Sequence, residues 1–378
     1  MDGSQVQGLL RSLEPNQPLG GKLLGSYYVD RGSTFRARLR QVLQSKGAKA
    51  FVAGPSGVGK STELAKFVED LEEGAYGILI DVGGLYDLTK IGPIHLLLAG
   101  AWKGLNLGAA RGWKPTPEVQ RKSRWWGAKW DNAKNYFTFE AEKAVNSSFG
   151  SVHQRSEETL LEVEAGLGRP TVLVYDGLEK LPTNIARAIF CTNGAAIASW
   201  AVRAVFVVPP LLLFGPEWEE AERHVADTLF LSALPVAGPS GDETDRARGF
   251  FRDLADRRLG PLAMKLDPTL LEKAIDEGAG IPRQFLHVLR ETFMESVVEG
   301  RDIPDAGCLE RALARLRSPL QRKLRPGQVD RLRELHQKPP ATLDVQDHDL
   351  LATGCLIPYE SGGRLWYDAN PILLPVLV

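Results

Sequence analysis

Residues 54–61 read GPSGVGKS and fill every position of the pattern G-x-x-x-x-G-K-[ST]. The apolar run AFVA (50–53) precedes the loop, and Leu64, Phe67, Val68 and Leu71 follow it at helical spacing. A strand that breaks into such a loop and restarts as a helix constrains the fold more than any other feature of this chain. Gly54, Gly57 and Gly59 let the backbone wrap closely, so that its N–H groups face phosphate oxygens. The helix N-terminus adds a partial positive charge. Lys60 is placed to reach the β- and γ-phosphates of a nucleotide, Ser61 to bind Mg2+ and Thr62 to support the α-phosphate. Pro55, Ser56 and Val58 complete the phosphate-binding stretch.

Further short apolar runs follow: GILIDV (77–82), TVLVYD (171–176), AVFVV (204–208) and TLFL (228–231). A helical stretch near 33–45 precedes AFVA, and another near 183–200 precedes AVFVV. Strands alternating with helices predict an α/β domain, a parallel sheet flanked by helices on both faces. From about residue 241 the pattern turns helical, with amphipathic stretches at 268–278, 282–298 and 306–316. The last part changes again: Leu356–Tyr359 and Arg364–Tyr367 flank Ser361-Gly362-Gly363, the signature of a hairpin with a glycine turn. Helices followed by a hairpin predict a small winged-helix domain. The expected organisation is a flexible arm at 1–24, rich in Gly, Pro and Gln, then a phosphate-loop domain at 25–240. A helical lid at 241–320 and the winged helix at 321–378 follow.

A net charge of −1 gives no bulk drive toward nucleic acid or membrane, so any such contact needs a local patch. The N-terminus lacks a basic start followed by an apolar core. AVFVVPPLLLF (204–214) is broken by two prolines and falls short of the roughly 20 residues of a spanning helix. Cys191, Cys308 and Cys355 are far apart and fit no metal or redox spacing. These features together read as a cytoplasmic protein with no membrane contact.

TVLVYD ends in Asp176, the place from which a central strand delivers a carboxylate to Mg2+ through water; a helix cap is the plainer alternative. Gly177 follows, and the next acid is Glu179.

The sequence from residue 25 onward resembles the AAA+ and STAND branch of P-loop ATPases. In that branch the segment one helix before the phosphate loop binds adenine. Tyr27-Tyr28-Val29-Asp30-Arg31 stands there, so the resemblance makes Tyr28, Val29 and Arg31 base-pocket candidates; the alternative is a simple entry into the next helix. Gly280-Ile281-Pro282-Arg283 is similar to the G-x-P-R of origin-initiator lids. The resemblance implies that Arg283 senses the γ-phosphate and that Pro282 lies beside the nucleotide. It also implies ATP or ADP with Mg2+ as the bound group. Three features depart from the pattern. Asp176-Gly177-Leu178-Glu179-Lys180-Leu181 is closer to the NACHT-type D-G-L-D-E-L than to the usual Asp-Glu pair. The strand AVFVV runs into Pro209-Pro210, where the family carries a polar sensor residue. Arg203, Arg223, Arg257 and Arg258 compete as arginine finger. Slow hydrolysis is therefore expected, with Glu179 orienting the attacking water.

Five of the eight tryptophans, Trp102, Trp113, Trp125, Trp126 and Trp130, fall in an insert at about 100–140. Either they pack onto the ATPase core or they face a partner. The reading is an ATPase that acts as a nucleotide-dependent switch. It would self-associate and regulate a separate effector protein, a role the resemblance connects with bacterial antiviral defence. The alternative is a DNA-binding initiator or loader. Against it, residues 341–378 carry one Arg, Arg364, beside Asp344, Asp347, Asp349, Glu360 and Asp368. A small-molecule kinase is a third option, and the lid and hairpin speak against it.

Overall fold

The computed structural model describes residues 3–17, 19–32, 34–71, 73–119, 121, 149–237, 241–262 and 264–378. It forms two compact units: 34–53 with 63–230, and 1–33 with 54–62 and 231–378.

The first unit is built on five parallel strands: β1 (Lys49–Ala53), β2 (Tyr76–Asp81), β3 (Thr171–Asp176), β4 (Arg203–Val207) and β5 (Asp227–Phe230). Their order is β2-β3-β4-β1-β5. Because all run the same way, Ala53, Asp81 and Asp176 end on one edge. β1 and the body of β3 are buried without a break, as parallel strands covered on both faces must be. Helix α3 (Phe35–Val42) leads into β1, α4 (Lys60–Asp70) connects β1 to β2, and α5 (Pro93–Ala110) and α6 (Phe149–Leu167) lie between β2 and β3. α5 is apolar nearly all round, and eleven of its eighteen residues are buried. It lies on the face of Tyr175, whose hydroxyl donates to the Leu96 carbonyl at 2.7 Å. Tyr175 stacks on Phe206 with centroids 5.0 Å apart, and Phe190 meets Phe206 edge-on. α4 lies on the other face. There a Cβ at Gly77 would stand 2.8 Å from Val68 Cγ1, so only glycine lets helix and strand approach this closely.

The helix predicted over 183–200 is divided: α-helix at Thr183–Arg187, a π-turn at Ala188–Thr192 and α-helix again at Gly194–Ala198. The extra residue of the π-turn accompanies burial of Ile189, Phe190 and Cys191 together.

The second unit is mainly helical. α1 (Gly3–Ser12) and α2 (Lys22–Tyr27) precede α7 (Gly241–Leu259), α8 (Pro268–Glu277), α9 (Pro282–Val298) and α10 (Ala306–Gln321). Phe251, Phe285, Leu289, Phe293, Leu309 and Leu313 form its core. Residues 3–12, expected within a flexible arm, are helical instead, and Leu9 and Leu13 enter that core. The two leucines are one turn apart and find an apolar surface in the helical unit, a tertiary contact that outweighs the poor local propensity of Gly and Gln-rich sequence. Arg258 fastens this segment. Its Nη1 donates to the Ser12 carbonyl at 2.7 Å, and its guanidinium lies 4.4 Å from the Tyr27 ring centroid. Asp267 caps α8 by accepting from the N–H groups of Thr269 and Leu270. Pro282 opens α9 at a position where no N–H is needed.

Then come α11 (Gln328–Gln337), α12 (His348–Thr353) and an antiparallel hairpin, β6 (Leu356–Ser361) with β7 (Arg364–Ala369), followed by a short helical segment at 371–377. Gly362 and Gly363 make its turn at φ 56° and 74°, the left-handed pair of a two-residue hairpin loop. No helix among the described residues is long and apolar enough to cross a membrane.

Candidate nucleotide site

The phosphate loop runs from the end of β1 to the start of α4, as its motif requires. Gly54, Gly57 and Gly59 take φ of 151°, 82° and 104°. These angles turn the loop around its own centre. Lys60 is buried, and its Nζ donates to the carbonyls of Gly54 at 2.8 Å and Pro55 at 3.0 Å. The loop's own carbonyls thus hold the ammonium inside the curve where a phosphate would compete for it. Ser61 and Thr62 follow in the first turn of α4, both half-buried.

Two arginines close on this loop, one from each side of it in sequence. Arg31 donates to the Val58 carbonyl from Nη1 and to the Ser232 carbonyl from Nη2, both at 3.0 Å. It therefore ties the loop to the segment after β5. Arg283 donates from Nη1 to the Ser56 hydroxyl at 2.9 Å, and its backbone N–H bonds the Gly57 carbonyl at 3.2 Å. Arg283 Nε is buried without a hydrogen-bond partner among the described residues. Such a nitrogen is open to an anionic ligand or to water. Burial also holds the His287 imidazole, one turn further along α9, below its ordinary pKa, helped by the charges of Arg290 and Arg283.

The other candidates divide. Val29 packs against the core of the helical unit, and Tyr28 is half-buried at the C-terminus of α2. Pro282 lies next to Arg283 at the start of α9. Asp176 and Glu179 belong to the sheet unit. Asp176 ends β3, and Glu179 sits in a 3-10 turn, Leu178–Lys180, entered through Gly177 at φ 87°. Asp176 Oδ1 and Glu179 Oε2 are both buried with no hydrogen-bond partner among the described residues. A buried carboxylate oxygen left so is costly unless a cation or water completes it, which fits a Mg2+ ligand and a water-orienting acid.

Of the tryptophans, Trp113 packs against the core of the sheet unit. Trp125, Trp126 and Trp130 lie outside the described residues. The three cysteines are buried thiols.

Sequence reasoning missed three parts of this arrangement. The Ser56 bond to Arg283 and the Ser232 bond to Arg31 both join residues more than 190 positions apart, and neither serine stands out by type. The third is Asp81, which ends β2 directly beside Asp176 in the register. Its signal was visible: the run GILIDV also delivers an acid at a strand end.

No family model matches the chain, and no curated protein matches it in sequence. Several solved structures are similar to it. Cdc6p of Pyrobaculum aerophilum is 13% identical over 97% of this chain and 96% of its own, with a TM-score of 0.46. The ORC2 protein of Aeropyrum pernix, in ADPNP–ADP complexes, is 12% identical over 97% and 96%, with a TM-score of 0.49. The ORC1 protein of Aeropyrum pernix, in complex with DNA, is 14% identical over 93% of each chain, with a TM-score of 0.48.

Proposed function

We propose that this chain is an ATPase of the AAA+/STAND type, binding ATP and ADP with Mg2+ and hydrolysing ATP slowly, and that it works as a nucleotide-dependent switch. The observation that carries the reading is the double hold of Arg283 on Ser56 and Gly57. α9 of the lid is thereby attached to the phosphate loop itself, so a γ-phosphate that draws Arg283 away from Ser56 moves the lid with it. A ligand shifts such an element only through differential contact with its states, and Arg283 is the group that supplies the difference.

In this reading Lys60 takes the β- and γ-phosphates, Ser61 and Asp176 hold Mg2+, and Glu179 is the acid on the Asp176 loop available to orient water. Tyr28, Val29, Arg31 and Pro282 border the base. ATP-bound chains self-associate and act on a separate effector, as in antiviral systems. The acids between 341 and 378 favour a protein partner for the hairpin region over a DNA backbone.

Light scattering with ATP, ADP and no nucleotide tests the switch, beside calorimetry on the parent and Lys60→Ala. The expected result is a larger species with ATP in the parent alone, with nucleotide affinity lost in the variant. Equal ATP affinity in both proteins would overturn the phosphate-loop assignment. A steep fall of duplex affinity with salt would favour the DNA loader instead.

A further inference from the structure

Gly177 stands where the second acid of a phosphate-loop ATPase commonly follows the first. The structure brings another carboxylate to that place. Asp81 of β2 pairs with Asp176 of β3 in the parallel register, and the Val82 N–H bonds the Asp176 carbonyl at 3.0 Å. Neighbouring parallel strands lie about 4.8 Å apart, and register partners share a face. The face is identified by Gly77, which meets Val68 of α4. Side chains alternate along a strand, so Leu79 and Asp81 lie on that same side while Ile78 and Ile80 enter the opposite core. α4 is the helix that begins with Lys60 and Ser61.

The room around Asp81 is made by glycines. A Cβ on Gly177 would stand 3.4 Å from Asp81 Oδ1, and one on Gly84 would stand 2.8 Å from Oδ2. The Asp81 carboxylate therefore borders the space into which a side chain at 177 would grow. Gly84 N–H donates to Oδ1 at 3.3 Å and steadies it, and the residue is exposed. Glu179 lies beyond Gly177, with one carboxylate oxygen closed off from solvent.

We propose that Asp81 supplies the carboxylate that the Asp176-Gly177 pair lacks and is the main acid acting on the attacking water. The proposal rests on the ATPase reading above. Asp81 accepts a hydrogen bond from that water. As the water oxygen bonds to the γ-phosphorus, the bond from phosphorus to the β,γ-bridging oxygen breaks, and ADP leaves with its electron pair. The proton released from the water passes to Asp81 and from there to the phosphate product.

Asp81→Asn in the full chain is the decisive variant, because the amide oxygen still accepts from Gly84 N–H while the charge and basicity are gone. The expected result is ATP affinity by calorimetry and a melting temperature close to the parent's. Single-turnover hydrolysis should fall at least roughly tenfold, and further than in Glu179→Gln. Turnover at the parent rate, or turnover restored by raising Mg2+, would overturn the assignment; the second result would place Asp81 on the metal. A parent chain that binds ATP but never turns it over would instead sink the ATPase reading, and the role of Asp81 with it.

Discussion

Arg283 lies directly over Gly57: a Cβ added at 57 would stand 2.6 Å from Arg283 Cβ and 3.1 Å from its Cδ. The phosphate loop and α9 are therefore in contact at a position where no side chain fits. The glycine answers two demands together, a left-handed backbone at φ 82° and the passage of an arginine above it.

Gly57→Ala should weaken ATP binding at least tenfold. The left-handed conformation alone costs an L-residue about 1–2 kcal/mol, and displacement of Arg283 adds to it. Calorimetry with ATP reads the loss directly. Parent affinity in the variant would show that loop and lid helix separate without cost, which would remove the basis for coupling through Arg283.

Arg283→Ala keeps the backbone bond to Gly57 and deletes the bond to Ser56. A hydrogen bond to a charged group contributes about 1.5–3 kcal/mol, so affinity for a non-hydrolysable ATP analogue should fall roughly tenfold or more. ADP affinity should change little, because it lacks the γ-phosphate that competes with Ser56. Arg283→Lys should not restore the preference, since an ammonium lacks the planar fork that reaches two acceptors. Equal losses for both nucleotides would make Arg283 a general structural residue.

The parts of the site that were legible in the sequence are local in the chain. GPSGVGKS carries its loop, its strand and its helix between Lys49 and Asp70, and TVLVYD announces Asp176 by a β-branched run with an acid at its end. The partnership of Asp81 with Asp176 was not legible, because register between strands 95 positions apart depends on packing across the whole sheet. The docking of α1 was hidden for a similar reason. Leu9 and Leu13 form a short apolar pair, and the helical core around Phe251 and Phe285 supplies the surface for them. The π-turn that divides 183–200 leaves the helical periodicity almost intact, so spacing alone predicts one helix there.

Asp347 and Arg331 give the C-terminal region an acid-sensitive joint. Asp347 is fully buried, and Arg331 donates to its Oδ1 from Nε at 2.9 Å and to its Oδ2 from Nη2 at 2.8 Å. These bonds hold the Asp347 carboxyl below the usual carboxylate range, against the opposing effect of burial. The folded pKa is depressed, so the stabilisation is complete above the unfolded value, about 3.9, and is lost as pH falls through the folded one. Asp347→Asn should cost about 1–3 kcal/mol at neutral pH. It should also abolish this part of the acid dependence. Denaturant unfolding of parent and variant followed by circular dichroism, from pH 7 down to pH 3, checks both. Parallel curves for parent and variant below pH 4 would show that the pair carries no linked proton.

Lys49, at the start of β1, gives a second linkage of the same sign in the alkaline range. It is 2% exposed, and its Nζ donates to the carbonyls of Gly47 at 2.5 Å, Ala198 at 3.5 Å and Trp200. Burial lowers its pKa from 10.5 to about 8, with Glu157 pulling it back up. Between those two values the unfolded chain binds more protons than the folded one, so stability from this group rises with pH across that window. Below pH 8 the ammonium is present in both states, and its burial cost is constant. A depression of this size corresponds to about 3 kcal/mol over the window. Lys49→Met removes the group, so the stability difference between parent and variant should move in the parent's favour by about that amount from pH 8 to pH 10.5. Guanidinium titrations of both proteins at pH 7.5, 9 and 10.5 measure it. A constant difference across the three would mean that the carbonyls around Nζ offset the burial and leave the lysine an ordinary base.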